Sequence, residues 1–529
     1  MVGRMSDTAR ELPARIVRNL KDCVRIDTRS LAVFRVFVGL LIVADLLLRS
    51  RNFSFFYTEE GVVPQSLAMD RTADYAFSFY YLTTDSTVIA ALFLVQGLVA
   101  LQLIVGYKTR VATILSFLFV VSLDHHNPLV LSYADTLFRL LLFWAIFLPL
   151  GERWSVDAVH SDRTPRQSVT GVATALILSQ MVYMYFLNGY HKIEEQLWTS
   201  GEAAPLVMGL DDMTFLLAGY VREFPALLEI GGLLWFYMLL GSWLLIVLVG
   251  RPRILAVAAF VMAHASFAIT VRIGAFAFVA IAALVLFLQT QFWEDLERIV
   301  RHAGLDGSRL EARVSGIERV ARRVPNPRLR HETYDRAKSG LYTVSIGVIV
   351  LSLVLFGIIT YLPVGAIDEE STGPAQIETA AESLNVDQPP WTVFAPTPRT
   401  TDRYYVFAAE TADGETLDVY NDRELTFERP YDELQKQYGT YRERFYMGSV
   451  RSGGVNEHHD APVILADHLC DTWASEHDTE LTHITMYRAS EDVTMETISD
   501  HEERDRWVSS FYEHGCGDNE PKSVGNPDI

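Results

Sequence analysis

The segment Tyr183–Trp198 reads Tyr-Met-Tyr-Phe-Leu-Asn-Gly-Tyr-His-Lys-Ile-Glu-Glu-Gln-Leu-Trp. An apolar, aromatic stretch ends there in a cluster of Asn188, His191, Lys192 and Glu194. Lysine is scarce in the chain, occurring at positions 21, 108, 192, 338, 436 and 522. Lys192 alone lies at the end of an apolar block on the side argued below to face outward. An amine held dry is costly when charged, so its pKa should fall and leave a usable base. The same position also suits a lysine that anchors a helix end by stretching to the interface. Local context does not choose between the two.

Other polar residues stand where they are expensive. His264 lies within an apolar block, ten residues before Gly274 in Arg272-Ile-Gly-Ala-Phe276. A lone histidine there is either a satisfied core residue or an acid–base group. Asp124-His125-His126-Asn127-Pro128 forms a loop rich in titratable groups. Adjacent histidines rarely both reach one ion, so acid–base or hydrogen-bonding roles suit His125, His126 and Asn127 better than metal binding, and no metal is expected. Arg35 and Asp45 are about 15 Å apart along one helix, so each needs a partner elsewhere. Asp135 and Arg139 are spaced i,i+4 and read as a self-neutralising structural pair. Lys192, Asn188, His264 and the histidine loop all fall towards the outer leaflet, which points to a shared pocket.

The elements that must position these residues follow from composition. Of 529 residues, 50% are hydrophobic, and they gather in blocks, as in a polytopic membrane protein. The net charge of −20 argues against nucleic acid as a partner. Apolar blocks recur at 31–48, 88–106, 111–123, 135–150, 170–188, 227–249, 254–270, 275–292 and 342–362, which predicts about nine spans. Arg4, Arg10, Arg15, Arg18, Lys21, Arg25 and Arg29 precede the first block, which places the N-terminus in the cytoplasm. An odd number of spans in a cell membrane then puts residues 363–529 outside. The predicted organisation is a basic cytoplasmic segment 1–30, a membrane domain 31–295, a basic cytoplasmic linker 296–341, a last span 342–362, and an acidic domain 363–529. Within that domain, Arg403–Glu410 and Thr416–Tyr420 read as strands about Asp413-Gly414. Tyr431–Phe445 and Ala461–Ser475 read as helices and Thr482–Tyr487 as a strand. The fold class is thus an all-α polytopic membrane bundle with a small C-terminal α+β extracytoplasmic domain. Cys470 and Cys516 would sit in disulfide-permissive space, a setting that allows a bond between them.

The chain resembles the horizontally transferred transmembrane (HTTM) proteins, relatives of the vitamin K-dependent gamma-glutamyl carboxylase. The resemblance covers about residues 25–295 and rests on Phe56–Pro64, Asp124–Asp135 and Pro149–Asp157. Asn188-Gly-Tyr-His-Lys-Ile with Trp198, and His264 with Ile273-Gly274-Ala-Phe276, complete it. It makes Lys192 the match to the carboxylase's catalytic lysine and His264 the match to a second site residue, with either His126 or Asn127 as a third. Together with the position of the polar groups near one face, it gives Lys192, His264 and His126 as the candidate catalytic residues and Asn188, His191, His125, Asn127, Gly274 and Phe276 as the candidate quinone-binding ones. It fixes no cofactor, but a reduced menaquinone-type quinone entering from the lipid bilayer is the ligand it suggests. The large lumenal part that grips the carboxylase propeptide is not evident. Two functions therefore stand: a membrane enzyme using a lysine base on a quinol, and a non-enzymatic membrane anchor presenting an outer domain to an unidentified partner.

Overall fold

The computed structural model describes residues 15, 17–303, 318–325, 340–350, 379, 381–456 and 459–527. Helices dominate the first 300 residues: α1 Thr28–Ser50, α2 Ser86–Val105, α3 Thr109–His126, α4 Tyr133–Ala145, α5 Val172–His191, α6 Pro225–Leu240, α7 Arg251–Thr270, α8 Phe276–Leu284 and α9 Thr290–His302. Their boundaries are written locally. Asp27 and Asp85 cap α1 and α2 by accepting from backbone N–H groups one or two residues into each helix. Gly106 ends α2 in the left-handed region (φ 70°).

Four helices are long and apolar enough to cross a bilayer: α1, α2, α5 and α7. A fifth span arises only if the stretch 276–302, bent by 98° between Phe287 and Thr290, counts as one. The expectation of nine spans is therefore corrected, among the described residues, to four or five. An apolar block is not a helix of the same length. The block at 227–249 is cut at Gly241, and α6 is 16 residues long. The block at 135–150 gives a 13-residue helix that stops at Ala145, ahead of Pro149. The block at 111–123 is a helix, α3, that runs into the buried Asp124-His125-His126. The last expected span, 342–362, is described only as far as Val350; its remainder lies outside the described residues, as do residues 1–14 and 16 of segment 1–30.

Large apolar side chains on the outside follow helical spacing: Leu94, Leu98 and Leu101 on α2, and Leu227, Ile230, Leu234 and Tyr237 on α6. Continuous exposed stripes of this kind face lipid. The protein is a membrane protein whose bundle is apolar on its perimeter.

The C-terminal part carries a five-stranded antiparallel sheet. Its strands are β1 Thr401–Thr411, β2 Thr416–Asp418, β3 Arg423–Glu424, β4 Leu481–Asp492 and β5 Arg506–Gly515, in the order β3-β2-β1-β4-β5. The β1–β2 hairpin turns at Asp413-Gly414, with Gly414 at φ 82°. Helices α10, Tyr441–Asn456, and α11, Ala461–Glu476, pack against the sheet and the bundle. The helix expected at 431–445 is instead a short 3₁₀ turn, Leu434–Gln437, and α10 begins later at Tyr441. Cys470 on α11 and Cys516 beyond β5 form a disulfide.

Buried charges tie the two parts together. Arg49 donates to Asp45 (2.7 Å) and Asp124 (2.8 Å), and Arg139 donates to the other Asp124 oxygen (2.6 Å). Arg442 of α10 completes the set by binding Asp45 and Asp135 (2.9 Å). Asp135 and Arg139 thus do not neutralise each other. Asp135 instead turns back to accept from Ser132 at the start of α4 as a capping box. Arg35, as far from Asp45 as its spacing demands, has no carboxylate and donates to the carbonyls of Leu150, Arg153 and Trp154. Removing Arg442 takes the close ion pair from buried Asp135, which keeps Arg49 only at 3.5 Å, and one of two from Asp45, so Arg442→Met should cost about 3–5 kcal/mol. Denaturant unfolding of the full chain in detergent checks this; a loss under about 1 kcal/mol, the range of exposed pairs, would contradict it.

Candidate functional site

Tyr185, Asn188 and Lys192 follow one another at i, i+3 and i+7, so α5 presents all three on one face. That face borders a cavity of about 440 Å³ lined mainly by apolar side chains of α5, α6 and α7. Trp235 of α6, His264 of α7 and Phe276 of α8 share its wall. Its polar groups are few and specific. The Tyr185 hydroxyl lies 2.7 Å from His264 Nε2, and His264 Nδ1 is buried with no partner among the described residues. Lys192 Nζ donates to Asn188 Oδ1 (2.8 Å) and to the Val393 carbonyl (2.6 Å), and lies 4.5 Å from the centre of the Trp198 ring.

The roof comes from the C-terminal part. Residues 391–396 run across the end of α5 as a strap. Asn188 Nδ2 donates to the carbonyls of Trp391 (2.7 Å) and Val393 (2.9 Å). The Trp198 indole donates to those of Phe394 (3.1 Å) and Pro396 (3.0 Å). Trp391 and Phe394 both have positive φ, 52° and 51°, a cost that persists only where surrounding contacts over-determine the backbone. Trp391 is fully buried against Tyr133, and its indole donates to Gln388, which in turn bonds Gln180 of α5.

Lys192, the first residue beyond the 172–191 span, is 1% exposed and makes no ion pair among the described residues. Burial alone pushes its pKa down from 10.5 to about 7. The amine is therefore close to half neutral near pH 7, with two of its positions occupied by acceptors.

The structure brings Lys192, Asn188, His264 and Phe276 to this one cavity. Gly274 flanks it: at φ 66° its backbone packs so closely on Tyr441 that a Cβ there would lie 2.4 Å from the ring. His191 is half-buried at the end of α5 and does not line the cavity. The loop 125–127 also lies elsewhere. His125 Nδ1 bonds Phe77 O (2.9 Å) and Asn127 Nδ2 donates to Phe56 O (3.0 Å). His126 stacks between Tyr57 and Tyr80, with Nε2 3.3 Å from Tyr57 O. These contacts hold the segment Phe56–Tyr80 onto α3; none of the three residues reaches the wall that Lys192 and His264 share. Three contributors were not singled out as site residues from sequence: Tyr185, Trp235 and the strap carbonyls. Tyr185 was detectable by its i, i+7 spacing from Lys192.

A helical membrane protein with an apolar cavity among its helices, roofed by a strap from its own C-terminal part, is the class these features define. A family model for the HTTM domain matches residues 24–293, just over half of the chain, and the chain belongs to that family. No curated protein and no solved structure matches it.

A depressed lysine pKa has a sign. Between about 7 and 10.5 the unfolded chain holds a proton that the folded chain has released. The lysine therefore destabilises fully below pH 7, and stability recovers as pH rises through that window. The melting temperature of the wild type should gain on that of Lys192→Met between pH 7 and 10. A constant difference across that range would contradict the dry amine.

Proposed function

We propose that the chain is a membrane enzyme that uses Lys192 as a general base on a lipid-soluble quinol, with the C-terminal domain on the extracytoplasmic side. The single observation carrying this reading is the convergence of Lys192, Asn188 and the Tyr185–His264 pair on one apolar cavity of about 440 Å³. The cavity chemistry fits a quinone head: broad aromatic and aliphatic walls, with a base at one place and a hydroxyl–imidazole pair at another. A reduced quinone supplies an acidic hydroxyl and, after losing its proton, electrons for oxygen.

The residues' roles follow from their bonding. A neutral lysine amine has two N–H bonds and one lone pair. Asn188 Oδ1 and Val393 O accept the two N–H bonds, so the lone pair is free to take a hydroxyl proton at Nζ. The ammonium that results keeps both acceptors and gains the face of the Trp198 ring. Tyr185 and His264 hold each other in place and offer a polar contact in an otherwise dry wall. The strap excludes water, which keeps the amine's pKa low. The Cys470–Cys516 disulfide supports an oxidising compartment for the C-terminal domain. The relation of the HTTM group to the vitamin K-dependent carboxylase supports carboxylation driven by quinol oxygenation as the reaction class.

A second reading, a non-enzymatic module presenting the C-terminal domain, is favoured by one observation: Lys192 and Asn188 both donate to carbonyls of the strap and so hold it down. The two readings separate in one experiment. Purified protein given reduced menaquinone should consume it in an oxygen-dependent way, and Lys192→Ala should lower the rate about 10²-fold or more. Quinone should also co-purify, as seen by mass spectrometry. No turnover and no bound quinone would leave only the second reading.

A further inference from the structure

A second cavity, of about 360 Å³, lies at the seam between the C-terminal domain and the loop Pro128–Leu131 of the bundle. Its character is opposite to that of the first. Arg399, Arg403, Arg444 and Arg451 line it together with Tyr405 and Tyr438, and Asp212 is its one acidic residue. Asp212 is taken by Arg399. Among the described residues, the side chains of Arg403 and Arg451 make no ion pair or hydrogen bond with a protein group, and Arg444 reaches only the Arg272 carbonyl (3.3 Å). Among the same residues, Nε of Arg399, Arg403 and Arg444 is buried without a partner.

The arrangement is built by regular elements. Arg403 and Tyr405 alternate onto one face of β1, and Arg488 stands opposite Tyr405 on β4. Arg444, Gly448 and Arg451 follow at i, i+4 and i+7 on α10, with the glycine leaving space between the two guanidinium groups. Burial and the neighbouring Arg399, Arg488 and Arg451 push the Arg403 pKa down to about 10. Like charges gathered around a cavity with their donors unspent raise the energy of the empty fold and lower it when an anion enters.

We propose that this cavity is a binding site for a phosphoryl group carrying two or more negative charges. Planar guanidinium forks match phosphate oxygens in pairs, and three cations without a carboxylate partner outnumber what a monoanion would neutralise. The cavity is larger than a lone tetrahedral anion, so the phosphoryl group arrives on a larger polar molecule, either a lipid headgroup at the seam or a soluble phosphate ester.

The test uses the full chain, purified in detergent and stripped of lipid, titrated with inorganic phosphate and pyrophosphate against chloride at matched ionic strength. Melting temperature should rise saturably with phosphate or pyrophosphate, and Arg403→Gln and Arg451→Gln should each weaken the half-saturating concentration at least about tenfold. Arg451→Gln, which removes a side chain with no ion pair or hydrogen bond among the described residues, should melt at or above the wild-type temperature without ligand, and it reads the site even where Arg403→Gln does not fold. In parallel, protein from nanodiscs of mixed phosphatidic acid, a phosphomonoester lipid, and phosphatidylcholine is examined by native mass spectrometry. Retention of phosphatidic acid, lost in Arg451→Gln, assigns the site to a headgroup; a phosphate response without retained lipid assigns it to a soluble ester. A response equal to that of chloride together with no arginine-dependent lipid overturns the proposal, as does binding by both variants indistinguishable from wild type.

Discussion

Arg442 is the charge on which the arrangement turns. It belongs to α10 of the C-terminal part, yet its partners, Asp45 and Asp135, belong to α1 and α4 of the bundle. Asp45 is also held by Arg49, and Asp124 is shared between Arg49 and Arg139, so one continuous ionic network runs from the bundle interior into the second domain. Dry charges tolerate no gap, because each unpaired member bears its full desolvation cost. A second set does the same a short way off. Asp211 binds Arg222, Arg429 and Arg504, and Arg504 also binds Asp402 of β1. The carboxylate of Asp402 in turn accepts from the backbone N–H groups of Asp211 and Asp212. Two such clamps fix the sheet and α10 on the bundle.

Both cavities are products of that docking. The first is a groove among α5, α6 and α7 until the strap crosses it, and the carbonyl that accepts from Lys192 comes from the strap. The second has three walls from the C-terminal domain and a floor from Pro128–Leu131. One is dry with a single amine; the other is lined by cations. The protein thus keeps an apolar site and an anion-seeking site in one body, each depending on residues from both parts of the chain.

Much of this was legible in the sequence. The apolar, aromatic segment ending in Asn188 and Lys192 announced a polar group at the end of a membrane helix, and the spacing of His264 to Ile273-Gly274 matched a family pattern. The strands of the β1–β2 hairpin followed from alternation about Asp413-Gly414. What misled was the equation of apolar blocks with spans: Gly241 and the 98° bend after Phe287 interrupt helices without interrupting hydrophobicity. Charge pairing misled similarly. The i,i+4 spacing of Asp135 and Arg139 is a local rule, whereas buried ions select partners from the whole fold, here Arg442 and Asp124, hundreds or tens of residues away. The histidine loop belonged with the outer polar groups by position along the helix, but its side chains turn towards Phe56, Tyr57, Phe77 and Tyr80. Strap carbonyls carry no side-chain signature at all, so no reading of residue types could have found the group that accepts from Lys192.

The strap has a consequence for how the molecule is made. Synthesis runs from the N-terminus, so Lys192 and its helix emerge some two hundred residues before Val393, and Arg442 later still. A growing chain therefore passes through a stage in which the bundle helices exist but the amine has neither lid nor dry surroundings. In a nascent or truncated protein that stops short of the strap, Lys192 lacks the Val393 carbonyl that accepts from it and the cover over its groove. The geometry of the site therefore exists only after translation has passed the strap and α10 and these have docked on the bundle.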